Sequence, residues 1–154
     1  YNAFISRWLD ADYYNLGFSG SARGEIAMAD YINTIDMSVF VFDYDHNAPT
    51  VEHLQRTHEP FFRRIRERHP LLPVVMLSRP GFDFDPDAAQ RRSVVRATYE
   101  HALAAGDKNV YFIDGQTLFG DDDRAACTND CTHPNDLGMY RMAKVIAPVI
   151  EGVL

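Results

Sequence analysis

The sequence predicts an α/β fold in which a parallel sheet is covered by helices on both faces. Two patterns carry this expectation. Helix-like and strand-like segments alternate along the whole chain. The strand segments, residues 37–42 (MSVFVF) and 72–77 (LPVVML), are near-continuous apolar runs, as expected of strands buried on both faces. A third pattern agrees with them. Polar clusters follow the strand segments, and in open parallel sheets the ligand groove lies beyond the carboxyl ends of the strands.

Taken in order, residues 1–9 read as a helix with Phe4, Ile5, Trp8 and Leu9 on one side. Residues 12–16 (DYYNL) read as a short strand closed by Gly17, and residues 17–21 as a glycine-punctuated loop. Ile26, Ala29, Ile32 and Ile35 recur at helical spacing within residues 23–35. The strand at 37–42 ends in the polar cluster Asp43-Tyr44-Asp45-His46-Asn47. Thr50 is the expected N-cap of a long helix reaching about Arg68. Leu54, Phe61, Phe62 and Ile65 form its buried side, and Arg63, Arg64, Arg66 and Arg68 its wet side. The strand at 72–77 leads into Ser78-Arg79-Pro80-Gly81. A helix follows over about 86–105, then a strand at 109–113, a short turn or helix at 115–119, the acidic run Asp121-Asp122-Asp123, and a closing helix at 137–153. With no repeat, linker or low-complexity segment, residues 1–154 are expected to form one domain.

The 154 residues suffice to bury a core, and the 46% hydrophobic and 24% charged content is that of an ordinary globular protein. A net charge of -7 argues against a nucleic-acid partner, which calls for a basic face. No apolar run approaches the ~20 residues of a membrane-spanning helix. The sequence opens at Tyr1 directly in amphipathic helix pattern, so further sequence is expected upstream. Cys127 and Cys131 leave two readings open, a short-loop disulfide or two free thiols; two such ligands do not make a zinc site.

The chemistry concentrates in Asp130-Cys131-Thr132-His133-Pro134-Asn135-Asp136. A carboxylate accepting from one nitrogen of an imidazole fixes the tautomer and leaves the other nitrogen free as a base. Acyl transfer also needs a nucleophile and donors for the oxyanion. The backbone N–H of Gly20 and the side-chain amide of Asn47 are donors of the right kind. Each candidate has a plainer alternative. His133 could satisfy a loop carbonyl, Asp130 could form an Asx-turn or cap, Gly20 could serve a turn, and Asn47 could cap the following helix. His46 reads as either a wall residue or a loop residue, and Arg79 as a substrate contact or an ion pair. The acidic run 121–123 reads as a calcium site or, more simply, a solvated loop.

Three blocks in order resemble the SGNH hydrolase superfamily, the GDSL-type esterases and acylhydrolases. They are Asn15-Leu16-Gly17-Phe18-Ser19-Gly20, Asp45-His46-Asn47-Ala48-Pro49, and Asp130-x-x-His133-Pro134-Asn135. The resemblance spans the whole chain. It implies a flavodoxin-like three-layer α/β/α sandwich and a serine esterase that cleaves small acyl esters, with O-acetyl groups on carbohydrate as one substrate class. It further implies His133 as base, Asp130 as its orienter, Gly20 and Asn47 in the oxyanion hole, and no metal or organic cofactor. One departure matters. The family's serine block and its central strand precede the first helix and are absent here, so the nucleophile is expected upstream of residue 1. A gap in the sheet is expected beside residues 12–16, and this stretch alone is expected to be inactive. Ser19 is the fallback nucleophile, although Ser21 breaks the G-x-S-x-G pattern of a nucleophile elbow. The rival reading is a non-catalytic module that binds a glycan or acyl ligand on the same fold.

Overall fold

The computed structural model describes residues 1–81, 83 and 85–154. Among them, β1 (Phe40–Phe42), β2 (Val74–Leu77) and β3 (Val110–Ile113) form one parallel sheet in the order β1-β2-β3. Phe40 stands opposite Val74, and Val74 opposite Val110. The helices are α1 (Asn2–Leu9), α2 (Ile26–Ile32), α3 (Val51–Arg68), α4 (Ala88–Ala104) and α5 (Asp136–Glu151). None of the described helices is long and apolar enough to cross a membrane.

The layering follows from strand geometry. Successive side chains of a strand point to opposite faces, and every residue of β2 is buried. Val74 and Met76 join Phe42 and Val110 in a core with Ala29 and Ile32 of α2, Leu54, Phe61 and Ile65 of α3, and Val95 of α4. Val75 and Leu77 join Ile113 in a second core with Ile5 of α1 and Met142, Ala143, Ile146 and Ile150 of α5. Two cores on one sheet make the three-layer α/β/α sandwich, as the apolar runs and the family resemblance predict.

Residues 12–16 are a correction: they form no strand. An extended segment becomes a strand only where a neighbouring ladder takes up its N–H and C=O groups. No described strand lies beside residues 12–16, and Tyr13 and Tyr14 are exposed. Strand β1 pairs with β2 alone, so its other edge has no ladder partner among the described residues. Elsewhere the elements lie where the sequence predicts, with trimmed ends. The second helix is the shortest relative to expectation, spanning Ile26–Ile32 rather than residues 23–35.

Candidate active site

The Asp130–His133 pair is built by a tight local turn. Asp130 Oδ1 accepts the backbone N–H groups of Thr132 (3.0 Å) and His133 (2.7 Å), and Oδ2 meets His133 Nδ1 at 2.5 Å. Cys131 makes this reversal possible by adopting a left-handed φ of 62°. The ring bond from His133, followed by the backbone donors, holds the Asp130 carboxyl down at about 2. A carboxylate at Nδ1 places the proton there and leaves Nε2 with its lone pair. The His133 side chain is 82% exposed, and Nε2 has no protein partner among the described residues. The Asx-turn and the acid–base pair are thus the same structure.

The pair stands at one side of a groove of about 240 Å³. The loop after β1 supplies Asp43, Tyr44, His46 and Asn47, and the loop after β2 supplies Pro80. The Thr132–Pro134 turn and the α5 residues Met139 and Met142 complete it with Tyr1. The groove therefore lies beyond the carboxyl ends of the strands, the edge predicted from the polar clusters.

Asn47 ends a short 3-10 turn, Asp45–Asn47, and its backbone N–H donates to Tyr44 O at 2.8 Å. It does not cap α3. Thr50 does, with Oγ1 accepting the His53 N–H at 3.1 Å. The Asn47 amide makes no hydrogen bond among the described residues and lies on the groove wall. Gly20 is placed differently. It is exposed, has a φ of 76°, and is not on the groove wall; its carbonyl accepts from Arg23 Nε at 2.8 Å. Ser19 beside it is also off the wall, and no serine or cysteine among the described residues lines the groove.

Electrostatics separate the groove's polar groups. Burial pushes the Asp43 carboxyl up to about 6, with the neighbouring Asp45 charge adding to this and the Tyr1 hydroxyl bond at 2.9 Å opposing it. Burial, aided by Arg79, pushes His46 down to about 4, so that ring is neutral at pH 7. His46 thus lines the wall as an uncharged imidazole. Arg79 follows the ion-pair reading and is bonded to Asp85.

Other side chains singled out in the sequence have structural roles. Ser78 Oγ is buried and accepts the Gly115 N–H at 2.7 Å. Cys127 is buried in the α5-side core and Cys131 is exposed; both are free thiols. Among the described residues, no group of three or more His, Cys, Asp or Glu side chains converges as a metal site. Sequence reasoning overlooked Arg91, whose guanidinium contacts Asp45 beneath the groove. A signal was available: Arg91 shares the helical stripe of Ala88, Val95, Thr98 and Ala102, the buried side of α4.

The three-layer sandwich thus carries an acid–histidine pair and an unpaired asparagine at the carboxyl edge of its sheet, as the asparagine and acid–histidine blocks of the sequence imply. The GDSL-like lipase/acylhydrolase family model matches residues 1–151, and the chain belongs to that family. No curated protein matches the sequence. Among solved structures, a protein of Bacteroides ovatus ATCC 8483 described as a GDSL-like lipase is 29% identical, with a TM-score of 0.84 over 98% of this chain and 46% of its own. The salicylyl-acyltransferase SsfX3 from a tetracycline biosynthetic pathway is 24% identical, with a TM-score of 0.81 over 99% of this chain and 49% of its own. An active-site mutant of a family two carbohydrate esterase from Clostridium thermocellum is 18% identical, with a TM-score of 0.77 over 99% of this chain and 54% of its own. The latter two likenesses are of fold. The chain spans about half the length of these proteins.

Proposed function

We propose that this chain supplies the base and part of the oxyanion site of a serine ester hydrolase, whose nucleophilic serine lies outside these 154 residues. The observation that carries the reading is the Asp130–His133 pair, with the imidazole held through Nδ1 and its Nε2 free beside a groove that also holds Asn47. The serine hydroxyl attacks the ester carbonyl while His133 Nε2 takes its proton. Asp130 holds the ring and stabilises the imidazolium. The Asn47 amide donates to the oxyanion, and the family resemblance gives the Gly20 N–H the same role. The imidazolium then protonates the departing alcohol, leaving an acyl-serine. Water activated by His133 releases the acid. An alcohol in place of water would make the same site an acyltransferase.

The substrate class is a small acyl ester, with O-acetyl groups on carbohydrate as the first to assay. The groove's mixed wall of Pro80, Pro134, Met139 and Met142 against Asp43, His46 and Asn47 suits a short acyl chain beside polar groups. The intact protein is expected to hydrolyse p-nitrophenyl acetate, and His133→Ala to abolish this. Full activity in that mutant would overturn the assignment. Strong turnover by residues 1–154 alone would point back to Ser19, and ligand binding without turnover by the intact protein would favour the non-catalytic module.

A further inference from the structure

The turn that carries Asn47 is weak on its own. Its internal bonds are Asn47 N–H to Tyr44 O at 2.8 Å and Ala48 N–H to Asp45 O at 3.3 Å. A side chain from another element spans it. Arg91 of α4 donates through Nη1 to Asp45 O at 2.9 Å and to Ala48 O at 3.0 Å, and the same nitrogen lies 3.4 Å from Asp45 Oδ1. One guanidinium nitrogen thus grips carbonyls at the start and the exit of the turn. The other Asp45 oxygen accepts the Arg79 N–H at 2.9 Å, tying the turn to the end of β2. Asp85 completes the cluster, bonded to Arg79 and 3.8 Å from Arg91 Nε.

Arg91 is 6% exposed and Asp45 1%. Burying opposite charges in this way is a poor route to stability, since apolar replacements of similar volume are often as stable. It does fix geometry. The planar, always-charged guanidinium sets donor directions that an ammonium on a flexible stem cannot. The Asn47 side chain has no hydrogen-bond partner among the described residues, so the turn backbone is what fixes the point from which the amide reaches the groove. Arg91 holds that backbone.

We propose that Arg91, paired with Asp45, is a positioning residue that holds the Asn47 turn in register for the oxyanion. The proposal rests on the role given to Asn47 above. Misplacing a catalytic donor by ~1 Å can cost on the order of a hundredfold in rate.

The test uses the full-length protein carrying Arg91→Lys, and separately Arg91→Met with Asp45→Asn, which removes both buried charges together so that neither is stranded. Backbone amide exchange at Asn47 and Ala48 is expected to quicken about tenfold in both variants, with Val75 and Met76 of β2 unchanged. The kcat for p-nitrophenyl acetate is expected to fall roughly 10- to 100-fold while KM stays within about threefold, with Arg91→Lys the milder variant. Asn47→Ala added to the double variant is expected to cost far less than in the wild type, because both changes remove one function. Unchanged exchange at both amides would overturn the clamp, and losses that add in full would overturn its link to Asn47. If the wild type hydrolyses no ester, the esterase reading fails and the exchange measurement alone decides whether Arg91 holds the turn.

Discussion

Asp130 illustrates how much one residue can organise when its partners are near in sequence. Its carboxylate takes two backbone N–H groups and one imidazole within three residues, at the cost of a left-handed Cys131. Asp130→Asn separates these tasks. Asparagine Oδ1 can still accept from the Thr132 and His133 backbones, but an amide NH₂ facing Nδ1 favours the wrong imidazole tautomer. The mutant of the intact protein is expected to fold normally and to lose roughly 10³–10⁴ in kcat, read in steady-state assays beside circular dichroism. Because the Asp130 carboxyl sits at about 2, it stays ionised across the neutral range and adds no inflection there to the pH–rate profile. The thiols give a separate test of the same loop. Exposed Cys131 is expected to label with iodoacetamide under native conditions and buried Cys127 only after denaturation, as peptide mapping would show. The Asp130–His133 pair was legible in the sequence because it is complete within four residues. Asp45–Arg91 was not, because 46 positions separate its partners and an arginine in a helix reads first as a wet face.

At the scale of elements, Gly138 governs how α5 meets the loop that carries His133. Gly138 lies in the first turn of α5, where Asn135 Oδ1 caps its N–H at 3.1 Å. A Cβ on Gly138 would stand 2.3 Å from the Cys127 carbonyl, a backbone atom that cannot swing away. Gly138→Ala must therefore push α5 off the 127–135 loop that carries His133. The expected loss is about 1–3 kcal/mol in chemical denaturation, with a fall in activity beyond what unfolding explains. Thr50→Ala, by contrast, removes only the cap of α3 and is expected to cost about 1 kcal/mol with kcat unchanged. The helices were readable because periodicity and caps are local signals, as with Thr50 and the Leu54, Phe61, Phe62, Ile65 stripe of α3. Strand identity is not local in the same way. Residues 72–77 are apolar enough to be buried whatever their neighbours, whereas residues 12–16 depend on a ladder partner that none of the described strands provides. The groove's far wall was legible only in part, because Asp43 and Asn47 lie in an evident polar cluster while Met139 and Met142 look like any helix core.

Across the whole molecule, the buried imidazoles set the response to acid. His58 lies 4.4 Å from the Phe42 ring in a stack, with Nδ1 against Thr98 Oγ1 at 2.8 Å, and burial pushes it down to about 3. His46 is pushed down to about 4. In the unfolded chain both take up a proton near 6.5, so the stability gained by keeping them neutral is complete above that pH and is lost as pH falls below it. Asp43 acts in the opposite sense. Its carboxyl is held at about 6 against 3.8 in the free chain, so the folded state binds the extra proton between those values and acidification there favours folding. Burial also raises the Asp45 carboxyl, which acts in the same sense as Asp43. The two imidazoles outweigh Asp43 alone. From about pH 6.5 to about pH 5 the imidazoles together take away roughly 3 kcal/mol and Asp43 returns about 1 kcal/mol, a net loss of roughly 2 kcal/mol. Guanidinium unfolding of the intact protein at the two pH values measures the sum, and His58→Gln isolates one of the two imidazoles. A glutamine side chain carries no titrating proton, so the variant is expected to lose about 1–2 kcal/mol less than the wild type over the same interval, whatever its stability at neutral pH. An unchanged pH dependence in His58→Gln would mean that His58 takes up its proton over the same pH range in the folded core as in the unfolded chain, and would overturn the assignment of a neutral buried ring.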